Sequence, residues 1–323
     1  MEVRLPRLSR VAVCGGTHGN ELSGVFLVRE LLKTGGEAGA GTSVQAVLSN
    51  PRATQLCCRY IDTDLNRCFT RATLDVPAFD TESYEVTRAR ELDAQLGPKG
   101  SPHAYDLICD LHNSTSNMGL CVIGFSDCDW ICLHVFRYLQ RQMSDIPVRY
   151  IHFDLPDKDS FSLDSVGKHG FALEIGPQPH GVVRSNIYTS MKDGVRHVLD
   201  WVRLFNSGSV FEGGPVDVFT AVGHLDYPRD CETRQITAAI HPRLQDQDFC
   251  LLHPNESVFQ TFSGQVLPYE GSEPLYPFFI NEGAYYEKGV ALYLARKRSV
   301  TLPKLRVCKD GRAGDLMSEE KEE

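Results

Sequence analysis

His18 and Glu21 stand three residues apart in Gly15-Gly16-Thr17-His18-Gly19-Asn20-Glu21, directly after the apolar run Val11-Ala12-Val13. An imidazole and a carboxylate at this spacing suit one metal ion, and in open α/β sheets ligands bind at the carboxyl ends of strands. The spacing predicts both side chains on one face as the chain enters a helix. A third donor is His112, which follows the strand-like run Tyr105-Asp106-Leu107-Ile108-Cys109 and precedes polar residues. Two histidines and one carboxylate make a catalytic zinc set with a fourth position open to water, so one Zn²⁺ per chain is expected. Taken alone, H-x-x-E beside a glycine turn is more often a solvated loop histidine, and the strand context is what favours a metal. Neither G-x-x-x-x-G-K-[S/T] nor G-x-G-x-x-G can be written here, which removes nucleotide binding.

Hydrolysis at such a metal also needs a base, an oxyanion partner and substrate clamps. Glu174 is a lone carboxylate inside the apolar strand Phe171-Ala172-Leu173-Glu174-Ile175, and a buried charge is costly without a partner. It is either a base facing the metal or an acid on the wet face of the sheet. Arg59 and the segment Asp62-Thr63-Asp64-Leu65-Asn66-Arg67 form a second cluster. An Asn66–Arg67 pair suits a free α-carboxylate while another arginine steadies an oxyanion; the competing reading is a surface salt-bridge loop. Tyr285, in Tyr285-Tyr286, offers a phenol to substrate or simply packs. Glu282 is either a supporting group near the site or an ion-pair partner.

These residues need an α/β scaffold. Short β-branched runs predict strands at 9–14, 44–49, 105–111, 119–125, 147–153 and 170–175, and longer periods predict helices at 20–34, 83–96, 129–142 and 185–206. The last is the clearest: Ile187, Met191, Val195, Val198, Val202 and Phe205 recur at three-and-four spacing between a Ser185 cap and Gly208, with His197 on the surface. From about residue 210, β runs such as 216–220, 235–240 and 258–262 alternate with Gly, Pro and Asp turns. The expected organisation is a catalytic domain over 1–208, a smaller β-rich domain over 209–302 and a charged flexible tail over 303–323.

The chain has 323 residues, a formal charge of −9 and eleven cysteines. The charge, with no basic run interleaved with aromatics, argues against nucleic acid. Adjacent Cys57-Cys58 without a C-x-x-C pair fits reduced thiols, and no apolar segment is long enough for a signal peptide or membrane span. A cytoplasmic protein is expected, with peripheral membrane association left open, and the glycosylation sequons at Asn113 and Asn255 are expected to be silent.

Together, Gly15-Gly16-Thr17-His18-Gly19-Asn20-Glu21, Asp64-Leu65-Asn66-Arg67, Asp110-Leu111-His112-Asn113-Ser114-Thr115-Ser116-Asn117-Met118-Gly119, Glu174-Ile175-Gly176-Pro177-Gln178-Pro179 and Asn281-Glu282-Gly283-Ala284-Tyr285-Tyr286-Glu287-Lys288 resemble the aspartoacylase family, in its order and over roughly residues 10 to 295. The resemblance implies a zinc-carboxypeptidase-like mixed sheet flanked by helices, followed by a C-terminal β domain at the mouth of the site. It implies zinc on His18, Glu21 and His112, Glu174 as base and then acid, Arg59 on the oxyanion, Asn66 and Arg67 on the α-carboxylate, and Tyr285 on the substrate. It also implies a homo-oligomer, dimer or tetramer.

One branch of the family deacetylates N-acetylaspartate, and the other, an aminoacylase branch, deacylates N-acyl aromatic amino acids and mercapturic acids. Ten residues before the catalytic glutamate, where aspartoacylase carries an arginine for the side-chain carboxylate, this chain has Asp164. Like charges about 4 Å apart at an effective dielectric near 20 repel by roughly 4 kcal/mol, which disfavours a second carboxylate. The expected substrate is therefore a small N-acyl aromatic amino acid or S-substituted N-acetylcysteine. The alternatives are aspartoacylase, which needs Asp164 to point away and another cation, such as Lys168 or Arg184, to serve; a zinc carboxypeptidase; and a noncatalytic zinc-stabilised binding protein.

Overall fold

A computed structural model describes residues 1–37, 41–76, 82–156 and 159–308. In chain order the strands and helices are β1 (Glu2–Leu5), β2 (Arg10–Gly15), α1 (Leu22–Thr34), β3 (Gly36–Glu37), β4 (Ser43–Leu48), α2 (Pro51–Leu56), α3 (Arg71–Leu74), α4 (Tyr84–Leu96), β5 (Leu107–Asn113), β6 (Gly119–Gly124), α5 (Trp130–Gln142), β7 (Val148–His152), β8 (His169–Gly176) and α6 (Ser185–Asn206). The β-rich part follows, with β9 (Gly214–Leu225), β10 (Ala238–Ile240), β11 (Ser257–Thr261), β12 (Val266–Pro268), β13 (Tyr276–Phe278), β14 (Leu292–Leu302) and β15 (Lys304–Val307).

Ten strands form one mixed sheet in the order β13-β14-β9-β7-β6-β8-β5-β2-β4-β3. From β2 the chain steps outward to β4 on one side and to β5 and β8 on the other, all parallel. Such a reversal opens a crevice at the carboxyl ends of β2 and β5, where His18, Glu21 and His112 lie. β6 runs antiparallel to β8, so the sheet is mixed, as expected.

The predicted strands and helices occur, with shifts at their ends. On α6 the apolar residues named above are buried against the central core. Ser185 is the first helical residue rather than the cap: Arg184 occupies the capping position and no side chain caps the helix. Asp129 and Ser83 do cap α5 and α4, accepting from Cys132 and Val86 N–H.

The C-terminal part shows two features that the sequence pattern did not anticipate. β9 and β14 join the catalytic sheet instead of remaining in a separate module, with β9 parallel to β7 and antiparallel to β14. A second core beneath the three-stranded sheet β10-β11-β12 gathers Ile240, Val258, Leu275 and Leu292. The tail expected from 303 begins too early: Lys304–Val307 pairs in parallel with Glu2–Leu5 and buries Leu305 completely. Alternation in Lys304-Leu305-Arg306-Val307 is a period-two strand pattern that its two charges disguise. The rest of the expected tail, from 309, lies outside the described residues.

All eleven cysteines are free. No helix among the described residues is long and apolar enough to cross a membrane. Asn113 is buried, which withholds it as a glycan acceptor.

Candidate active site

His18 and Glu21 lie in the turn between β2 and α1, not on the helix as the spacing suggested. Glu21 is the residue before the first turn, and its N–H donates to His18 carbonyl oxygen at 3.2 Å. Two glycines make this turn possible. Gly16 has φ of 71°, in the left-handed region, and a Cβ on Gly19 would sit 2.1 Å from the Ala53 carbonyl carbon of α2. His112 lies near the carboxyl end of β5, in register with Glu174 on the parallel strand β8. That pairing puts a ring donor and a carboxyl group side by side at the same level of the sheet.

The donor atoms of His18, Glu21 and His112 all lie within 4.8 Å of one another and are buried. His18 Nδ1 is 2.7 Å from Glu21 Oε1, and His112 Nδ1 is 2.9 Å from Glu21 Oε2. The far nitrogens of both rings meet carboxylates: His18 Nε2 lies 2.9 Å from Asp64 Oδ1, and His112 Nε2 lies 2.8 Å from Asp110 Oδ2. A ring that donates its Nε2–H to a carboxylate presents the Nδ1 lone pair inward, as a metal ligand must. The surroundings also favour positive charge at the centre. Burial works against it, yet the two imidazoles hold Glu21 well below the usual carboxylate range, and Asp110 and Glu21 raise His112. Two nitrogens, one carboxylate and the outer carboxylates fit a divalent zinc ion.

Glu174 is buried, and its carboxyl is pushed well above the usual range by burial first and by the Glu21 charge second. Arg59 reaches Glu21 Oε1 at 3.1 Å and Asp64 Oδ2 at 3.3 Å, while its Nε has no partner among the described residues. Asn66 and Arg67 belong to the 3-10 turn Leu65–Arg67, which Asp64 caps by accepting from Asn66 N–H at 3.1 Å. Asn66 Oδ1 accepts from Leu163 N–H at 3.0 Å, which leaves its amide nitrogen, a donor, for a ligand. The Arg67 guanidinium lies over the Phe161 ring at 4.4 Å. Tyr285, from the second module, meets Phe279 and Tyr293 edge-on, and burial raises its phenol.

One pocket of ≈ 700 Å³, including its open mouth, is lined by His18, Glu21, Arg59, Asn66, Arg67, His112, Asp164, Glu174 and Tyr285. The structure thus brings every sequence-predicted site residue to one place. Lys168 and Arg184, the cations an aspartyl side chain would need, are not in the pocket lining; Lys168 is bound to Asp106 at 2.7 Å and Arg184 donates to Pro177 carbonyl oxygen at 3.2 Å.

The succinylglutamate desuccinylase/aspartoacylase catalytic domain matches residues 7–202, and the barrel-sandwich hybrid domain of the same group matches residues 214–297. The chain belongs to the succinylglutamate desuccinylase/aspartoacylase family. Among curated members of this family, N-acyl-aromatic-L-amino acid amidohydrolase (carboxylate-forming) B of zebrafish (Danio rerio) is 56% identical over 95% of this chain and 99% of its own length. The human protein of the same activity name is 46% identical over 92% of this chain and 93% of its own. The crystal structure of murine aminoacylase 3, another family member, superposes with a TM-score of 0.89 at 44% identity, covering 94% of this chain and all of the other.

Several functional residues had escaped sequence reasoning. Asp64 and Asp110 hold the outer nitrogens, and their trace was present: Asp110 and His112 are two apart on a strand and so share a face. The pocket's apolar wall of Phe125, Phe153, Phe161, Phe279 and Tyr293 comes from segments far apart in the chain, and no local pattern announces it. Glu85 is fully buried on α4 and organises the loop between Arg59 and Arg67. Its carboxylate accepts from Ile61, Asp62 and Thr63 N–H at 2.7, 3.0 and 3.2 Å. Glu282, by contrast, was already a candidate from the sequence; it lines the pocket and joins the second module to it by accepting from Ser114 Oγ at 2.5 Å and Thr115 N–H at 2.8 Å. Lys288 reaches Asp64 Oδ2 at 2.5 Å.

Proposed function

We propose that this protein is a zinc-dependent amidohydrolase that deacylates N-acyl aromatic L-amino acids and N-acetyl-S-cysteine conjugates, giving a free amino acid and a carboxylate. The observation that carries the reading is one pocket with a two-histidine, one-carboxylate cluster and Glu174 among an aromatic wall. The names of the zebrafish and human relatives support the aromatic part. The mercapturate part extends it, because a thioether with an apolar substituent fills an aromatic-lined pocket as a ring does.

His18, Glu21 and His112 hold the zinc, which when bound acidifies water and polarises a carbonyl. Asn66 and Arg67 grip the substrate α-carboxylate, the arginine through its planar fork. Glu174 takes the proton of the attacking water and passes it to the departing amine; its raised affinity for a proton suits the second role. Arg59 donates to the carbonyl oxygen as charge builds on it, and Tyr285 adds a phenol contact from the second module. The reading includes a cytoplasmic homo-oligomer, a dimer or tetramer, which light scattering of the purified protein tests.

The deciding experiment follows acetate release from N-acetyltyrosine, N-acetyl-S-benzylcysteine and N-acetylaspartate, with metal content measured on the same preparation. About one zinc per chain and fastest release from the first two are expected. His112→Ala removes metal and activity together. Preferential turnover of N-acetylaspartate moves the protein to the aspartoacylase branch, and a zinc-loaded protein inert towards all three is a binding protein. Full activity in a verified metal-free preparation rules out the zinc reading.

A further inference from the structure

Asp164 is a pocket residue whose chemistry the proposed reaction leaves unused. It lies in the 3-10 turn Leu163–Val166, held on one side by Leu163 N–H donating to Asn66 Oδ1 and on the other by Lys99 Nζ, 2.9 Å from Ser165 Oγ. The turn is pressed onto β8, since a Cβ on Gly170 would lie 2.0 Å from Asp164 carbonyl oxygen. Only 2% of Asp164 is exposed, yet Oδ1 has no hydrogen-bond partner among the described residues. Its neighbours in the pocket lining include Phe125 and Phe161, whose rings meet edge to face at 5.4 Å. Burial pushes the carboxyl up to about 6.

A buried acceptor without a donor is costly, and native proteins keep few of them unless a ligand or water completes the set. We propose that Asp164 Oδ1 accepts a hydrogen bond from the far end of the substrate side chain, so that the pocket selects aromatic rings bearing a hydrogen-bond donor, such as a phenol hydroxyl, over bare rings. This inference rests on the reading of the pocket as an N-acyl aromatic amino acid site. A phenol brings its own donor to the buried oxygen. A bare phenyl ring, of nearly the same shape, covers that oxygen and leaves it unpaired, which is the situation in which sites discriminate strongly between isosteres. Two competing donors exist: the hydroxyl of Ser162, which lines the same pocket, lacks a partner of its own and favours the charged Asp164 carboxyl, and water in a neighbouring polar cavity that shares Asp164 and Phe125 and is also lined by Ser126, Tyr150 and Lys168.

The test compares kcat/KM of the zinc-loaded wild-type protein for N-acetyltyrosine, N-acetylphenylalanine and N-acetyl-O-methyltyrosine, the last keeping the oxygen but losing the donor. N-acetyltyrosine is expected to lead each of the others by about tenfold or more, the scale of one hydrogen bond to a charged group. In Asp164→Leu, shown to be folded by circular dichroism, the tyrosine-to-phenylalanine ratio should fall to about one or below. Equal wild-type values for the three substrates overturn the inference and leave Oδ1 to the Ser162 hydroxyl or to water from the neighbouring cavity. An unchanged ratio in folded Asp164→Leu overturns it as well. Turnover of none of the three removes the amidohydrolase reading itself, and this inference with it.

Discussion

A carboxyl group that is to hand a proton to an amine must hold that proton near neutral pH, and water-exposed carboxylates do not. Glu174 has the surroundings for it: burial, a second carboxylate in Glu21, and strand register beside His112. Glu174→Gln keeps the shape and removes the proton carrier. Zinc content and circular dichroism should stay as in the parent while turnover falls at least about a hundredfold; near-parental turnover would place the base elsewhere. On the proposed reading, Asp164 sets the choice of substrate rather than the rate. Asp164→Arg exchanges a repelling charge for a fork that grips a carboxylate, so kcat/KM for N-acetylaspartate relative to N-acetyltyrosine should rise, and aromatic substrates should lose space to the long guanidinium beside Phe125 and Phe161. If that ratio does not rise in a folded variant, Asp164 does not face the side chain of the substrate.

The loop between α2 and the 3-10 turn at Leu65–Arg67 carries Arg59, Asp64, Asn66 and Arg67, and no regular backbone pairing fixes it. Glu85 does so from the first turn of α4, its two oxygens shared among three successive N–H groups and Asn50 Nδ2 at 3.1 Å. Glu85→Gln turns one acceptor into a donor facing other donors. A loss of roughly 2–3 kcal/mol in urea denaturation is expected, together with a raised KM from the misplaced Asn66 and Arg67; an unchanged midpoint and KM would show that the loop holds itself. On the other side of the sheet, His134 of α5 donates from Nε2 to Pro303 carbonyl oxygen at 2.9 Å, tying the helix to the start of β15. Burial lowers its pKa to about 4, below the unfolded value of about 6.5. The folded state therefore prefers the neutral ring. Its contribution is complete above pH 6.5 and is lost as the pH falls from there towards 4, by at most on the order of 3 kcal/mol. In His134→Gln, which keeps a neutral donor, the urea midpoint should fall less between pH 7 and 4.5 than in the parent; parallel curves would remove His134 as the source.

Much of the molecule could be read in the chain because the signals were local. The α6 stripe, the glycine turn around His18 and the apolar run that leads into His112 are each contiguous stretches of chain, and periodicity along α6 determines which of its side chains face the core. What escaped has its cause at a distance. Glu85 looks like any solvated acid near a helix start, since its partners are backbone groups that leave no mark in composition. The aromatic wall assembles from β6, β7, the segment around Phe161 and the second module, so it exists only once the sheet is closed. Lys304–Val307 was hidden by a different effect: Leu305 is covered by the first strand of the chain, and two flanking charges made a buried strand resemble a tail.

The β9–β14 ribbon has a consequence for how the protein comes apart. At one end Val216, Val218 and Leu302 are embedded in the core of the large sheet, and at the other Leu292 and Leu294 are embedded in the core beneath β10-β11-β12. Neither core can be exposed without stripping the same pair of strands, so the two modules share their cooperativity. Thermal or urea denaturation should give one transition, with aromatic near-ultraviolet and backbone far-ultraviolet signals superimposed and the ribbon's amides exchanging with solvent only through global opening. Two resolved steps would mean that the ribbon frays in the middle. A ribbon that melts as one piece makes the mouth of the pocket as durable as its floor, and restricts the opening that admits substrate to side chains and loops at its rim.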